Sequence, residues 1–451
     1  MKLTLHPDAA KNYNEKAESL IRDLVPDPYA NRPRPQNIEP GIFAEELPRR
    51  AIIDLQVPDS YMDGFGKEIG KYFNDGSGNV GLFDDGYRNL VRLAESMQNN
   101  RVLRDAVSSE LLKDLIFNWI KANHSQPSQS SMTEFVLAEC ENQINEFELW
   151  IPVSNLLLFG SEVTVGRVTF KTVTKNMLDA YLGDMAEMSS EARIGSKRIR
   201  SELQGYAAAA MNVIAEPRRA YEIVYEEAEK ALSLLRFYSP VNFDPTRVCY
   251  VSILGEQHMD SFHRLQIQNG KIMNYSTGLV DWSSPYWQLD QSYIDDLKRS
   301  GLNVLSDLLM KRDRTDFQQK LLDALLQYSK NCLSRDASDK LVNILVALES
   351  VILKDENEPL GKNIGERMAA LIGSTVDERK RILSNIAKTY SLRSSFVHHG
   401  KRISVDELQT LKDFMMNAWR SLGSLIDLHY KNPTLTKDQF FADLEERRLS
   451  Y

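Results

Sequence analysis

The chain has 451 residues, a net charge of -8 and 42% hydrophobic residues. This length exceeds one ordinary hydrophobic core, so we expect two or three domains, and the hydrophobic content is sufficient to build them. The moderate charge excludes a wholly disordered chain and a uniformly basic nucleic-acid coat, so any nucleic-acid surface has to be local.

The cysteine pattern and the lack of long apolar segments bear on the compartment in which the protein works. Cys140, Cys249 and Cys332 are far apart and form no CxxC pair, which is typical of a reducing environment. The N-terminal stretch lacks the apolar run of a signal peptide, and no segment approaches the roughly 20 apolar residues of a membrane helix. We therefore expect a soluble, cytoplasmic protein without a membrane partner.

The first part of the chain has mainly helical periodicity. Apolar residues recur at helical spacing from Asp8 to Val25, and five prolines between Pro26 and Pro40 then forbid a continuous helix and predict a loop or an extended segment. Helical patterns return in residues 86–98 and 111–124. The Pro-, Ser- and Gln-rich stretch from Ser125 to Ser131 predicts a loop and a domain edge.

The segment GSGNVG, from Gly76 to Gly81, matches the GxGxxG pattern of dinucleotide-binding folds. That pattern works where a strand leads into the glycines and a helix N-terminus receives the pyrophosphate. Here the preceding stretch, GKEIGKYFND, has a helical appearance and the following stretch, LFDDG, resembles a turn. We therefore predict a flexible loop, and no nucleotide cofactor.

The middle of the chain alternates between strand and helix patterns. β-branched and aromatic residues in 147–175 predict a hairpin that turns near Gly166. A long helical tract is predicted from Lys175 to Tyr238, with GYAAAAMNVIAE (205–216) as its most helix-prone part.

A second, small β contribution is predicted between Pro240 and Trp287, with a turn at Asn269-Gly270. Polar residues beside this turn raise the hypothesis of a metal site, but scattered surface groups beside a strand give the same pattern, and we predict no metal. The residues concerned are Glu256, His258, Asp260 and His263.

From Gln291 to Tyr430 the pattern is helical almost throughout, with short polar breaks, which is typical of an antiparallel helical bundle. We predict a mainly α protein with a mixed α+β middle region. The predicted divisions are a mainly helical region 1–145, a mixed sensing or regulatory region 146–300, a helical bundle 301–435 and a helical tail 436–451.

The stretch YSLRSSFVHHG, from Tyr390 to Gly400, is the centre of chemical interest. Arg393 and His398 would lie about 140° apart on an uninterrupted helix. They converge only if the helix ends near Phe396 or Val397, for which Gly400 is a stop signal, or if a second chain supplies one of them. An apolar stripe that leaves Arg393 near its edge is formed by Ile382, Ile386, Tyr390 and Val397.

Positive charge is concentrated around this motif. Between Val376 and Arg402 there are seven basic residues against two acidic ones, an excess of five that attracts phosphate. Arginine presents a planar fork to phosphate oxygens, and histidine exchanges protons near neutral pH. Together they suffice for metal-free RNA cleavage. The alternative is structural: Arg393 pairs with an acid on a neighbouring helix, and the histidines cap a helix C-terminus.

Three segments of the last third, ALESVILKDE, NIGERMAALIG and AKTYSLRSSFVHHG, resemble the Apea-like branch of the HEPN (higher eukaryote and prokaryote nucleotide-binding) family. In that family an acidic helix precedes a helix with an R-x4-6-H motif, and two bundles dimerise so that both motifs line one cleft. Many members are metal-independent ribonucleases of bacterial toxin and anti-phage systems.

The resemblance implies that Arg393 binds phosphate and His398 is the catalytic histidine. Ser394 departs from the Asn, Asp or His that often follows the arginine, and His399 also satisfies the spacing. The family's acidic positions correspond to Glu349 and Glu366, which we expect to be structural partners of basic side chains. The implied RNA-phosphate contacts are Lys388, Lys401 and Arg402.

Our leading hypothesis is a defence-type ribonuclease without a cofactor, which cuts RNA as a homodimer through its C-terminal bundle. Residues 1–300 would recognise a phage-derived or cellular trigger. The alternative is a non-catalytic module that binds RNA or nucleotide, or regulates a partner enzyme.

Overall fold

A computed structural model describes part of the chain, without the side chains of residues 191, 261–263, 279 and 449; the described ranges are 2–29, 59–63, 65–125, 130–183, 189–256, 261–268, 271–279, 286–355 and 357–449. The chain forms two compact units. One comprises Met1–Phe147 with Asn212–Ile223, and the other comprises Glu148–Met211 with Val224–Tyr451. The division into four regions stays a prediction.

The first unit combines a four-stranded antiparallel sheet with helices. Its strands, in the spatial order β1-β4-β3-β2, are β1 (Val25–Pro26), β2 (Ser60–Met62), β3 (Glu68–Asn74) and β4 (Asn79–Phe83). Its helices are α1 (Pro7–Arg22), α2 (Asp84–Gln98), α3 (Arg101–Arg104), α4 (Ser109–Asn123) and α5 (Met132–Gln143). The helices predicted in 86–98 and 111–124 are confirmed, and the one predicted in 8–25 is confirmed as far as Arg22, since Val25 belongs to β1. Residues 30–40 of the proline-rich stretch lie outside the described residues.

The residues around GSGNVG form a β-hairpin, so the helical interpretation of the preceding stretch and the prediction of a flexible loop are wrong. Asp75 closes the turn: its Oδ1 accepts hydrogen bonds from the backbone N–H groups of Ser77 and Gly78 at 2.8 and 3.0 Å. The strands approach closely, because a Cβ on Gly81 would lie 2.2 Å from the carbonyl oxygen of Lys71. Glycine at position 81 therefore serves strand packing.

Beyond α5 the chain forms a five-stranded sheet and smaller β elements. The large sheet has the order β10-β5-β9-β8-β7. The strands are β5 (Asn145–Ser154), β6 (Leu156–Leu158), β7 (Val163–Val165), β8 (Val168–Thr172), β9 (Ala207–Ala215), β10 (Ser252–Ile253), β11 (Ser261–Gln268), β12 (Lys271–Leu279) and β13 (Trp287–Leu289). The small β contribution after Pro240 is confirmed, while the turn at Asn269-Gly270 lies outside the described residues.

Most of the described residues between Lys175 and Tyr238 are helical, but the alanine-rich part is strand β9. The helical prediction for 205–216 is therefore wrong. β9 lies between β5 and β8 in the sheet, and Ala207, Ala208, Ala209 and Ala210 are all buried. Burial of small side chains on both faces of a central strand outweighs the helix propensity of alanine. The helices of this tract are α6 (Lys175–Leu182), α7 (Ser190–Leu203) and α8 (Pro217–Arg236).

From Gln291 to Leu449 the described residues are helical almost throughout, as predicted for Gln291 to Tyr430. A 3-10 turn (Pro240–Phe243) precedes this region, and a second one (Val405–Glu407) precedes α15. Its first two helices are joined by a kinked segment (Lys298–Leu302), in which Gly301 has a φ of 105°. The helices are α9 (Gln291–Leu297), α10 (Asn303–Met310), α11 (Asp316–Leu333), α12 (Ala337–Ile352), α13 (Leu360–Ile372), α14 (Val376–His399), α15 (Leu408–Lys431) and α16 (Lys437–Leu449). Among the described helices, none has the length and apolar character needed to cross a membrane.

The predicted hairpin with its turn near Gly166 is confirmed, since β7 pairs antiparallel with β8. Gly166 has a φ of 61°, and its N–H donates a hydrogen bond of 2.8 Å to the hydroxyl of Ser306. A Cβ at this position would lie 2.6 Å from Leu309 Cδ2. The turn is thus fitted closely against α10.

We expect Gly166→Ala to destabilise the fold by about 2–4 kcal/mol, because a left-handed backbone strain of roughly 1–2 kcal/mol adds to a steric clash. The matched control is Gly160→Ala: Gly160 also has a positive φ, of 68°, but no atom within 4 Å of an added Cβ. Equilibrium denaturation measures both variants. Equal losses of stability in the two variants would show that the contact between the added Cβ and Leu309 does not destabilise the fold.

Candidate functional site

Helix α14 carries the arginine-histidine motif without a break. It begins behind Thr375, whose hydroxyl accepts a hydrogen bond from the N–H of Glu378, and it ends at Gly400, which has a φ of 64°. The stop signal at Gly400 is confirmed. Because no helix breaker precedes this glycine, the helix continues through His399, and the alternative that it ends near Phe396 or Val397 is wrong.

Arg393 lies on the inward-facing side of α14. Ile382, Ile386 and Thr389 are buried along this side, and Arg393 continues their spacing by one turn as a half-buried residue. Val397, which the predicted apolar stripe includes, is 53% exposed. Residues 397–400 are all exposed, so the last turn of α14 extends beyond the packed core.

The guanidinium of Arg393 has no hydrogen-bond or ion-pair partner among the residues described. The structural alternative, in which it pairs with an acid on a neighbouring helix, is therefore not realised there. Its electrostatic neighbour is Tyr390, whose hydroxyl donates a hydrogen bond of 2.9 Å to Glu349 Oε1. Burial and the negative charge of Glu349 raise the pKa of Tyr390, and the positive charge of Arg393 opposes this increase.

Glu349 and Glu366, the two residues at the acidic positions of the resemblance, have different surroundings. Glu349 on α12 accepts from a tyrosine, so the expectation that it pairs with a basic side chain is wrong. Glu366 on α13 has the expected basic partner, because Arg448 Nη1 donates to its Oε2 at 2.8 Å. Tyr390 is the site residue that the sequence interpretation missed, since its spacing alone indicates an ordinary apolar position.

Two of the three expected phosphate contacts are engaged in ion pairs. Lys401 lies 3.2 Å from Glu407 and Arg402 lies 3.4 Å from Asp336. Hydrogen bonds from the backbone N–H and hydroxyl of Ser404, together with Lys401, lower the pKa of Glu407 to about 2. Lys388 is exposed on α14. A phosphate at Lys401 or Arg402 would therefore bind beside a carboxylate, whose negative charge weakens the attraction.

The two histidines are exposed in the last turn of α14, and their ring centroids are 6.5 Å apart. On this continuous helix His398 lies about 140° from Arg393 in one direction, and His399 lies about 120° from it in the other. Ser394 is also exposed. One chain therefore does not bring the arginine and either histidine to the same face.

The metal hypothesis for the stretch from Glu256 to His263 falls largely outside the described residues, because His258, Asp260 and the side chain of His263 are not described. Glu256 accepts a hydrogen bond from the hydroxyl of Tyr225. Within the described ranges, no group of three or more His, Cys, Asp or Glu side chains is placed to hold a metal ion.

Comparison with known proteins gives no match: no protein-family model, curated protein or solved structure is significantly similar to this chain.

We expect Tyr390→Phe to lower the free energy of unfolding by about 1–2 kcal/mol, because Glu349 loses its hydrogen-bond donor. The pKa of Tyr390 is raised above the unfolded value of about 10. Its contribution to stability is therefore fully present below pH 10 and is lost as the pH rises above 10. Denaturation of wild type and variant at a series of pH values measures this difference. A difference that grows above pH 10 would contradict the assignment.

Proposed function

We propose that the protein is a metal-independent endoribonuclease in which Arg393 binds the phosphate and His398 transfers protons. The observation that carries this proposal is Arg393, a half-buried residue that continues the inward-facing side of α14 and whose guanidinium has no hydrogen-bond or ion-pair partner among the described residues. An arginine in such a position costs desolvation free energy that an anion could offset. The resemblance of the last third to Apea-like HEPN domains supports RNA as the source of that anion.

The chemistry requires only these side chains and the substrate. The ribose 2′-oxygen attacks the adjacent phosphorus, the bond to the 5′-oxygen breaks, and the products are a 2′,3′-cyclic phosphate and a free 5′-hydroxyl. His398 takes the proton of the 2′-hydroxyl or gives one to the leaving oxygen. Arg393 stabilises the additional negative charge on the phosphate oxygens in the transition state.

Two chains are needed for this reaction on geometric grounds. Arg393 and His398 face different sides of one continuous helix, so the histidine that acts beside a given arginine has to come from a second copy. We therefore propose a homodimer through the C-terminal helical region, which forms an antiparallel HEPN-like bundle. The resemblance to HEPN proteins also supports a role in a bacterial toxin or anti-phage system, with the trigger recognised by the first 300 residues.

A second candidate function is binding without cleavage. It is favoured by the same separation of Arg393 from His398, and by the ion pairs that engage Lys401 and Arg402. In that case the motif holds RNA or nucleotide, or the module regulates a partner enzyme. The two functions differ in whether purified protein fragments RNA.

We expect cleavage of total RNA to persist in excess chelator, because the proposed mechanism transfers protons and stabilises charge with side chains alone. Gel analysis of RNA after incubation with and without chelator measures this. A loss of cleavage that one divalent ion restores would contradict the proposed mechanism. Comparing the growth of cells that express wild type or Arg393→Ala tests for activity that depends on a cellular trigger.

The two histidines should differ in their effect on rate. We expect His398→Ala to lower the initial cleavage rate by about 10² to 10⁴-fold, which is typical for loss of a general acid or base. His399→Ala, the matched control, should lower the cleavage rate much less. Arg393→Ala should abolish most of the activity. Thermal unfolding controls for stability. Equal, small losses for both histidines would favour the binding function.

Mixing two inactive variants tests the composite site. A heterodimer of Arg393→Ala and His398→Ala subunits has one site with both residues intact and one with neither. With random subunit exchange, half of the dimers are of this kind, so we expect roughly a quarter of wild-type activity to return. No recovery after verified exchange, or a strictly monomeric mass at active concentrations, would contradict the dimeric mechanism.

A further inference from the structure

Two of the three cysteines are in direct backbone contact. Cys249 lies in the stretch before β10, and Cys332 is the penultimate residue of α11. The N–H of Cys249 donates a hydrogen bond of 2.7 Å to the carbonyl oxygen of Cys332. Both residues are buried, and both carry free thiols. The spacing of the cysteines along the sequence gives no sign of this pair, because only tertiary structure brings the two positions together.

The backbone contact limits the distance between the two Cα atoms. A Cα lies about 1.5 Å from its own nitrogen and about 2.4 Å from its own carbonyl oxygen. With 2.7 Å between the hydrogen-bonded nitrogen and oxygen, the Cα atoms of Cys249 and Cys332 are at most about 6.6 Å apart. Disulfides join residues whose Cα atoms are roughly 4.4 to 6.8 Å apart. The pair therefore meets the distance limit for a disulfide without movement of the backbone.

Both thiols contact the end of α8 and the turn that follows it. Cys332 Sγ donates to Asn242 Oδ1 at 3.1 Å and to the carbonyl oxygen of Arg236 at 3.5 Å. The side chain of Ser239, in the same turn, hydrogen-bonds to the thiol of Cys249. Because one short turn contacts both sulfur atoms, the two side chains lie on the same side of the backbone contact.

The electrostatic surroundings also connect the two thiols. Burial and the proximity of Cys249 raise the pKa of Cys332 to about 12, and the positive charges of Lys340 and Arg236 oppose this increase. The same two cations oppose the effect of burial on the pKa of Cys249. Burial also raises the pKa of Cys140 to about 12. Cys140 and Cys332 therefore do not differ in acidity, and what distinguishes Cys332 is the second cysteine beside it.

We propose that Cys249 and Cys332 are a modification site, at which hydrogen peroxide forms a reversible disulfide within one chain. Cys249, which is 5% exposed against 0% for Cys332, reacts first. Its thiolate attacks one oxygen of the peroxide, the O–O bond breaks, and the hydroxide that leaves takes up the thiol proton as water. The product is a sulfenic acid on Cys249.

The second step closes the bond. The thiolate of Cys332 attacks the sulfur of the sulfenic acid, the S–S bond forms, and the hydroxide that leaves takes up the second proton as water. Two thiols are thereby oxidised to one disulfide, and one peroxide is reduced to two water molecules. A disulfide that forms and is reduced again is the kind found in a reducing compartment.

The bond would reinforce an existing attachment. Arg236 and Lys340 already hold the stretch 247–251 through the carbonyl oxygens of Val251 and Arg247, and the disulfide would join this stretch covalently to α11. Because both sulfur atoms are buried, the peroxide reaches Cys249 when the stretch opens locally. This inference does not rest on the proposed ribonuclease activity.

Peptide mapping of the full chain by mass spectrometry tests the proposal. The protein is treated with hydrogen peroxide, catalase removes the excess, and free thiols are alkylated in denaturant. We expect the loss of two of the three thiols, a cross-linked peptide pair that contains Cys249 and Cys332, and an alkylated Cys140. Dithiothreitol should restore all three thiols. In Cys332→Ser, dimedone should trap the sulfenic acid on Cys249.

Cys140→Ser is the matched control, because Cys140 is an equally buried thiol and the only cysteine of the first unit. This variant should still form the cross-link, and Cys249→Ser should keep both of its thiols. Circular dichroism at the peroxide concentration used confirms folding, and mapping of the wild type requires no variant. The proposal is overturned if Cys249 and Cys332 stay reduced in the folded chain, if Cys140 is oxidised equally fast, or if the cross-link joins two chains.

Discussion

A fully buried arginine and a fully buried lysine tie the β region of the second unit to its helices. Arg236 on α8 donates from Nε to the carbonyl oxygen of Val251 at 2.8 Å and from Nη1 to Glu229 at 2.7 Å. Lys340 on α12 donates from Nζ to the carbonyl oxygen of Arg247 at 2.7 Å. Removing one partner of a buried charge typically costs about 3–5 kcal/mol, because the other charge remains desolvated. The short stretch 247–251 is thereby held to both helices.

This anchoring extends to the candidate site through α12. Lys340 lies two to three turns before Glu349 on the same helix, and Glu349 accepts the hydrogen bond from Tyr390 on α14. Tyr390 in turn precedes Arg393 by about one turn of α14. The backbone of Arg393 is thus placed by a series of helix contacts, whereas the exposed last turn with both histidines lies beyond them.

Arg393 is a half-buried residue in a basic segment of an acidic chain. A single arginine fork suits one phosphate, which is what the proposed reaction requires. Because the net charge of the chain is -8, a polyanion is not attracted to the surface in general, and any binding at this segment would be local.

The sequence by itself determined the helical elements, the hairpin at Gly166 and the end of α14 at Gly400. These features depend on local periodicity, turn chemistry and backbone conformation, all of which are encoded within a few residues. Tertiary structure decided the strands β3 and β9, because close packing at Gly81 and burial of four successive alanines outweigh local helix propensity. It also decided the surroundings of the motif. Residue types alone identified Arg393 and the histidines as candidates. Tyr390 becomes the partner of Glu349 only through the packing of α12 against α14. No local pattern specifies such a contact between residues that are distant in the sequence.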